Sequence, residues 1–230
     1  MTTLTVNSFF DITTFEHKEL FHVASFVWQA LGAIPSYLSS QTLGKNHSQH
    51  QEYAYFVNPE LITIGDGTII EPGAYIKGPC IIGKNCHIRH GAYIRGNVIV
   101  GDNCVIGHAT EMKSCILLNG AKAPHFAYVA DSILGNRVNL GAGVRCANLL
   151  LTHGHVTVHL PNETIDTGMK KFGAIIGDDC QIGCNVVLNP GTLMQKGCFC
   201  YPSINISGVI PKNSIVRIQK KLEIIPKKVK

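Results

Sequence analysis

The sequence predicts an all-β chain folded as a parallel β-helix of hexapeptide repeats, with a small N-terminal helical cap and one projecting loop. Three observations predict it. An aliphatic residue returns every six positions at Ile64, Ile70, Ile76, Ile82, Ile88, Ile94, Val100, Ile106, Met112 and Leu118. Gly follows directly at Gly65, Gly83, Gly101 and Gly107, where a Cβ would disfavour the corner conformation. Four positions after each aliphatic comes a smaller residue: Thr68, Ala74, Cys80, Cys86, Ala92, Val98, Cys104 and Thr110. A period of six fits neither an amphipathic helix nor an alternating strand. In a hexapeptide prism three hexads make one triangular coil, and coils stack by parallel pairing about 4.8 Å apart. After a break the pattern resumes at Leu134, Leu140, Ile176, Ile182, Leu188, Met194, Cys200 and Ile206. The total is roughly twenty hexads, or about seven coils.

Residues 1–57 carry no hexads and form an N-terminal cap and connector. Thr13 and Glu16 have capping-box spacing, and apolar residues follow at Leu20, Phe21, Val23, Ala24, Val27, Trp28 and Leu31. Gly32 and Pro35 are expected to stop that run, giving one or two amphipathic helices that cap the first coil. Trp28 reads as a packing anchor. The prism is expected over residues 58–217, and a basic tail with Lys220, Lys221, Lys227, Lys228 and Lys230 over 218–230.

Two irregularities interrupt the prism. After Leu118 the inward sites fall at Pro124 and Ala130, and the next aliphatic, Leu134, arrives two residues early. Residues 149–172 then abandon the period, and the alternation of His153, His155, Thr157 and His159 predicts a projecting β-hairpin. Places where a sequence breaks its own local rule are candidate functional sites.

Nine cysteines raise the question of disulfides or metal, and their register argues for packing. Cys80, Cys86, Cys104, Cys180 and Cys198 take the small inward position, and Cys146 and Cys200 the aliphatic one. Cys115 and Cys184 fall outside both. An odd count fits reduced thiols, and the start MTTLTVNSFF lacks the basic region and apolar core of a signal peptide. A cytoplasmic protein is therefore expected. No apolar stretch is long enough to span a membrane. The net charge of +5 is scattered, with no aromatic-interleaved basic stripe, which excludes a nucleic-acid footprint and suits phosphorylated small molecules.

The segments around the breaks carry a specific likeness. GHATEMK (107–113), NGAKAPHFAYVA (119–130), VNLGAG (138–143), MKKFGAIIGDD (169–179) and IGCN (182–185) occur in that order. They resemble the C-terminal acetyltransferase domain of the bifunctional N-acetylglucosamine-1-phosphate uridyltransferases, and the longer loop before MKKF is similar to the archaeal-type sugar-phosphate versions. The resemblance covers about residues 60–217. It implies a homotrimer of left-handed β-helices that moves acetyl from acetyl-CoA to the amine of glucosamine 1-phosphate, supplying UDP-N-acetylglucosamine. It implies His125 as general base and Glu111 as the carboxylate that orients it. Arg95, Lys113, Tyr128 and Lys171 match groups that hold the sugar phosphate, and Asn139 and Asn148 match groups that position the sugar. Leu149 stands where the family has a Tyr beside the Asn. On the donor side Cys184 and Pro202 replace the family's usual small residues near the acetyl group and CoA channel, and Arg217 lies near a position that contacts the CoA phosphate. No Gly-rich nucleotide loop occurs in residues 1–60, so uridylyl transfer is expected of a separate chain.

Elementary chemistry agrees with these roles. An ammonium cannot attack a thioester, so a base titrating near neutrality must take its proton, and His suits that work. A carboxylate on the far ring nitrogen would fix the tautomer. Lys and Arg supply charge-assisted hydrogen bonds to phosphate. Direct attack needs no covalent nucleophile, and no metal is expected. His153, His155 and His159 have zinc-compatible spacing without an obvious fourth ligand. The alternatives are a lipid A-type sugar acyltransferase and a non-catalytic trimeric scaffold.

Overall fold

The computed structural model describes residues 4–22, 24–49, 52–160, 162–219 and 225–226. Val23 of the expected helical run and all five lysines of the expected tail lie outside them. Three parallel sheets of eight strands each form the sides of a prism. Face one runs from Tyr55–Val57 to Asn205–Ile206, face two from Ile62–Ile64 to Val209–Ile210, and face three from Ile69–Ile70 to Ile215–Val216. Each strand supplies short extended backbone, and its inward side chain stacks on the equivalent residue one coil away. Ile64 pairs with Ile82 and Ile82 with Val100, all buried. Coils begin earlier than the hexads indicated: Tyr55 already pairs with Tyr75, and Asn46 and Gln49 of the connector bridge to Ile64 and Ile69.

The repeat slips within the stretch that looked regular. Cys80 pairs with Val98, 18 residues on, but Val98 pairs with Cys115, 17 residues on, and Ile116 with Ile133, again 17. One residue is missing at each of two successive corners between faces one and two, at Ser114 (φ 46°) and Asp131 (φ 47°). The inward residue is therefore Leu117, not Leu118, and Ala123 and Val129 rather than Pro124 and Ala130. The run Cys115-Ile116-Leu117-Leu118 offers an aliphatic in either frame, which is why spacing alone carried the wrong one forward. Cys115 is consequently a buried inward residue and not an outlier.

The N-terminal segment does not cap the first coil. It lies along face two, because the outward residue of six successive strands there is apolar: Ile81, Ile99, Ile116, Ile133, Ile175 and Leu193. Phe9, Phe10, Phe15, Leu20, Trp28, Ile34 and Leu38 bury that stripe. Thr13 and Glu16 start no α-helix; the Thr13 amide and hydroxyl bond to Asp11 Oδ1 in a turn, and a short 3-10 turn Lys18–Phe21 follows. The longer α-helix is Gln29–Ser40, with Gly32 and Pro35 inside it, after a single helical turn at Val6–Phe9. Burying Leu31, Ile34 and Leu38 on outward isoleucines outweighs the poor helix propensity of those two residues. Asp178, itself buried, anchors the segment by accepting the Asp11 amide at 2.7 Å and the Asn136 amide at 2.7 Å.

The inserted loop leaves face one after Ala147 and rejoins at Gly173. It contains the expected hairpin, Thr157–Leu160 against Glu163–Asp166. Rather than projecting, its base folds back: Val156, Val158 and Phe172 are buried with the Trp28 cluster. His155 faces Asp166 at 3.3 Å and His159 hydrogen-bonds Thr164 at 3.1 Å.

Burial raises the Cys115 and Cys146 thiols and pushes Cys80 up to about 12. Thiol reagents act on the thiolate. In native protein Cys184, which is exposed, should therefore label first, with Cys80, Cys115 and Cys146 protected until unfolding. Mass spectrometry of a labelling time course checks this, and fast labelling of Cys115 would contradict the register assigned here.

Candidate functional site

Consecutive coils place one residue each along the corner between faces three and one: His90, His108, His125, Ala142, Cys184 and Pro202. The backbone ladder fixes the column, since the amides of Ala109, Phe126, Gly143, Asn185 and Ser203 donate to the carbonyls of His90, His108, His125, Ala142 and Cys184. The residue after each corner has a left-handed φ, supplied by Gly or Asn at Gly91, Gly143 and Asn185 but by Ala109 (49°) and Phe126 (51°) on the two coils between. A bulky residue in that region costs on the order of 1–3 kcal/mol, and such outliers cluster at functional sites. Gly107 makes the local approach possible, because a Cβ there would collide with the Pro124 carbonyl of the next strand. The His90 and His108 rings stack at 5.6 Å, and Phe126 meets His108 edge-on at 5.0 Å. His125 is exposed, lies 6.5 Å from the Phe126 ring, and makes no side-chain hydrogen bond among the described residues.

Face one, next to this column, carries the other group. Tyr93, Glu111, Tyr128 and Arg145 form one outward row in register. Arg95 and Lys113 begin a second row alongside. Arg95 Nη1 donates to Glu111 Oε1 at 2.7 Å, which raises the guanidinium, and its Cζ lies 5.8 Å over the Tyr93 ring. Glu111 is thus held by Arg95, and no hydrogen bond joins it to His125. Asn148 Nδ2 donates to Asp131 Oδ2 at 2.5 Å, and Lys113 Nζ stands 3.6 Å from the same oxygen. Burial first, then the Glu111 and Asp131 charges, push the Tyr128 phenol upward, against a hydrogen bond with Asn148. Lys171 bridges antiparallel to Leu149, while the adjacent Phe172 amide donates to the Asn148 carbonyl at 2.9 Å. The loop therefore returns Lys171 to this face.

Five of the residues singled out from sequence, Arg95, Glu111, Lys113, Tyr128 and Asn148, share one face, with His125 at its edge and Lys171 at its loop. Asp131 was missed. It is only 9% exposed and links Lys113 to Asn148. The available signal was an acidic residue at a shortened corner inside the first break. Asn139 does not join the group: it points out from face three between Lys122 and Gln181, in a depression of about 380 Å³. Cys184 and Pro202 stand above His125 on the same corner. Arg217 follows the strand Ile215–Val216, one position past the Cys200–Val216 pair. The donor-side residues thus lie on the corner and face three, apart from the cationic group.

Chemically, the arrangement combines an unencumbered imidazole, the cations Arg95, Lys113, Arg145 and Lys171, and paired amide and phenol donors on one open surface. No group of three His, Cys, Asp or Glu among the described residues stands close enough to hold a metal ion.

Residues 76–165 match the family described as the GMPPB C-terminal domain. The bifunctional sugar-1-phosphate nucleotidylyltransferase/acetyltransferase of Sulfurisphaera tokodaii is 37% identical over 92 residues, 40% of this chain and 23% of that protein. The bifunctional protein GlmU of Methanocaldococcus jannaschii is 32% identical over 121 residues, 53% of this chain and 29% of that one. A protein of Escherichia coli named an uncharacterized acetyltransferase, YaiX, is 34% identical over 153 residues, 66% of each chain. The chain spans less than a third of the length of the two bifunctional relatives.

Proposed function

We propose that this chain, a homologue of the C-terminal region of the bifunctional sugar-1-phosphate nucleotidylyltransferase/acetyltransferases, moves acetyl from acetyl-CoA to the amine of an amino-sugar phosphate, with glucosamine 1-phosphate as the simplest acceptor. The observation that carries the reading is the juxtaposition of the exposed His125 with Arg95, Lys113, Tyr128 and Asn148 on one face.

In this reading the sugar phosphate sits on Arg95, Lys113 and Lys171, because a dianion repays the desolvation of several cations at once. Capturing Arg95 would release Glu111 from its ion pair, freeing a carboxylate beside the reacting end. His125 takes one proton from the sugar ammonium, the amine attacks the thioester carbonyl, the new N–C bond forms as the C–S bond breaks, the nitrogen's second proton passes to the departing CoA thiolate, and His125 releases its proton to solvent. Asp131 is a positioning residue, holding Lys113 and Asn148 toward one another.

The donor is proposed to run up the corner past Cys184 and Pro202 toward Arg217. A single prism leaves that corner open. Face two is closed by the N-terminal segment, whereas Tyr55, Tyr93, Phe199, Tyr201 and Ile215 stay exposed on faces one and three. A homotrimer closing on those two faces is therefore expected, and light scattering at micromolar concentration should give three chains' mass; a monodisperse monomer would count against it.

Steady-state kinetics test the assignment. Lys171→Ala should raise the Michaelis constant for glucosamine 1-phosphate about tenfold or more with little change in kcat, since a phosphate clamp acts in ground and transition states alike. An unchanged constant would remove Lys171 from the site. Absence of acetyl-CoA binding by calorimetry would favour the non-catalytic scaffold.

A further inference from the structure

Face one carries a second concavity that the cationic group does not fill. It measures about 480 Å³ and opens at the corner between faces one and two, where the inserted loop leaves the prism. Ala147, Asn189 and Ser207 form its floor, one outward residue on each of three successive coils. Leu149, Leu150 and Pro190 give it apolar walls, and Thr157 and His159 of the hairpin close one side. Leu151 at the rim is 98% exposed.

Its position ties it to the acceptor and not to the donor. Ala147 continues the outward row of Lys113 and Ala130, two coils up, a rise of roughly 10 Å. Lys171 bridges to Leu149, so a cation stands at the lower lip. The column of His125, Cys184 and Pro202 lies at the opposite edge of face one. A molecule with phosphate on Lys113 and Lys171 therefore has this cavity directly ahead of it, on the side away from the amine.

The lining indicates what would enter. Asn189 donates to Ser207 Oγ at 2.8 Å, and Thr157 Oγ1 pairs with His159 Nε2 at 3.1 Å. These polar pairs interrupt an otherwise apolar surface. An acyl chain would strip water from all four without offering a partner in return. A heterocyclic base offers flat faces to the Leu and Pro walls and a donor–acceptor edge to the amide, which itself both donates and accepts. We propose that this cavity is a nucleoside subsite, so that the preferred acceptor is a nucleoside diphosphate-linked amino sugar, its phosphates on Lys113 and Lys171. The proposal rests on the reading of face one as the acceptor site.

The test uses the full chain and a panel of nucleoside monophosphates, UMP, GMP, AMP and dTMP, titrated by calorimetry. At least one should bind with a dissociation constant below about 1 mM, and Asn189→Ala and Ser207→Trp, which remove the amide and fill the cavity, should each weaken it about tenfold. Both should leave glucosamine 1-phosphate binding unchanged, which also reports that they fold. In turnover, a nucleotide-linked amino sugar should exceed glucosamine 1-phosphate about tenfold in kcat/KM, and Ser207→Trp should abolish the difference. If no nucleotide binds, or binding ignores both variants, the subsite is overturned while the acetyl-transfer reading stands. If nucleotide binds through Asn189 but no amino sugar is acetylated, the transfer reading fails and the subsite survives.

Discussion

Replacing His125 by alanine is expected to lower turnover by roughly 10²–10⁴-fold while sugar-phosphate binding stays largely intact. The magnitude follows from the role. A general base is worth that much when nothing else can take the proton, and the nearest corner imidazoles, His90 and His108, are stacked on each other lower on the column. Binding should survive because the proposed phosphate contacts are Arg95, Lys113 and Lys171. The substitution is also structurally benign: His125 is exposed, and its backbone keeps the ladder through Gly143 and His108. Single-turnover kinetics alongside calorimetry separate the two effects. Retained wild-type turnover would place the base elsewhere, and lost sugar binding would make His125 a binding residue.

The largest stability effect is expected at Trp28. Its ring stacks on Phe26 at 4.6 Å and meets Phe172 at 6.1 Å, in a cluster that seals the outward isoleucines of face two. Trp28→Ala should cost about 3–5 kcal/mol, the range for removing a fully buried aromatic side chain. Because Phe172 follows Lys171 and bonds to the Asn148 carbonyl, the loop should loosen as well, and proteolysis within residues 149–172 should accelerate. Urea unfolding gives the first quantity and limited proteolysis the second. A loss below about 1 kcal/mol would mean that the N-terminal segment is an ornament on the prism rather than its cover.

The inward register was legible because a β-helix asks one simple thing of each hexad, an aliphatic and a small residue facing the axis. Ile64 through Met112 meet that demand and are buried as expected. Cys115 and Leu118 were misplaced because a one-residue deletion at Ser114 leaves an apolar residue available in both frames. The cover on face two was missed for a different reason. Ile81, Ile99, Ile116, Ile133, Ile175 and Leu193 recur on successive coils at the outward position, a second stripe that the hexad count passes over. Gly32 and Pro35 do not end the helix because burial of the apolar face of Leu31, Ile34 and Leu38 outweighs local propensity. At the candidate site, the resemblance gathered Arg95, Glu111, Lys113, Tyr128 and Asn148. It could not give the Arg95–Glu111 ion pair, a contact between side chains of neighbouring coils, or the Asp131 link, which depends on a shortened corner.

The central claim, that this face acetylates an amino-sugar phosphate, is tested most directly by following free-thiol release from acetyl-CoA. The same reaction is then inspected by mass spectrometry. Thiol release should require both acetyl-CoA and an amino-sugar phosphate, the sugar product should gain one acetyl group, and His125→Ala should remove most of the rate. Thiol release without a sugar requirement, or no release from the wild-type protein with either glucosamine 1-phosphate or its nucleotide-linked counterpart, would contradict it.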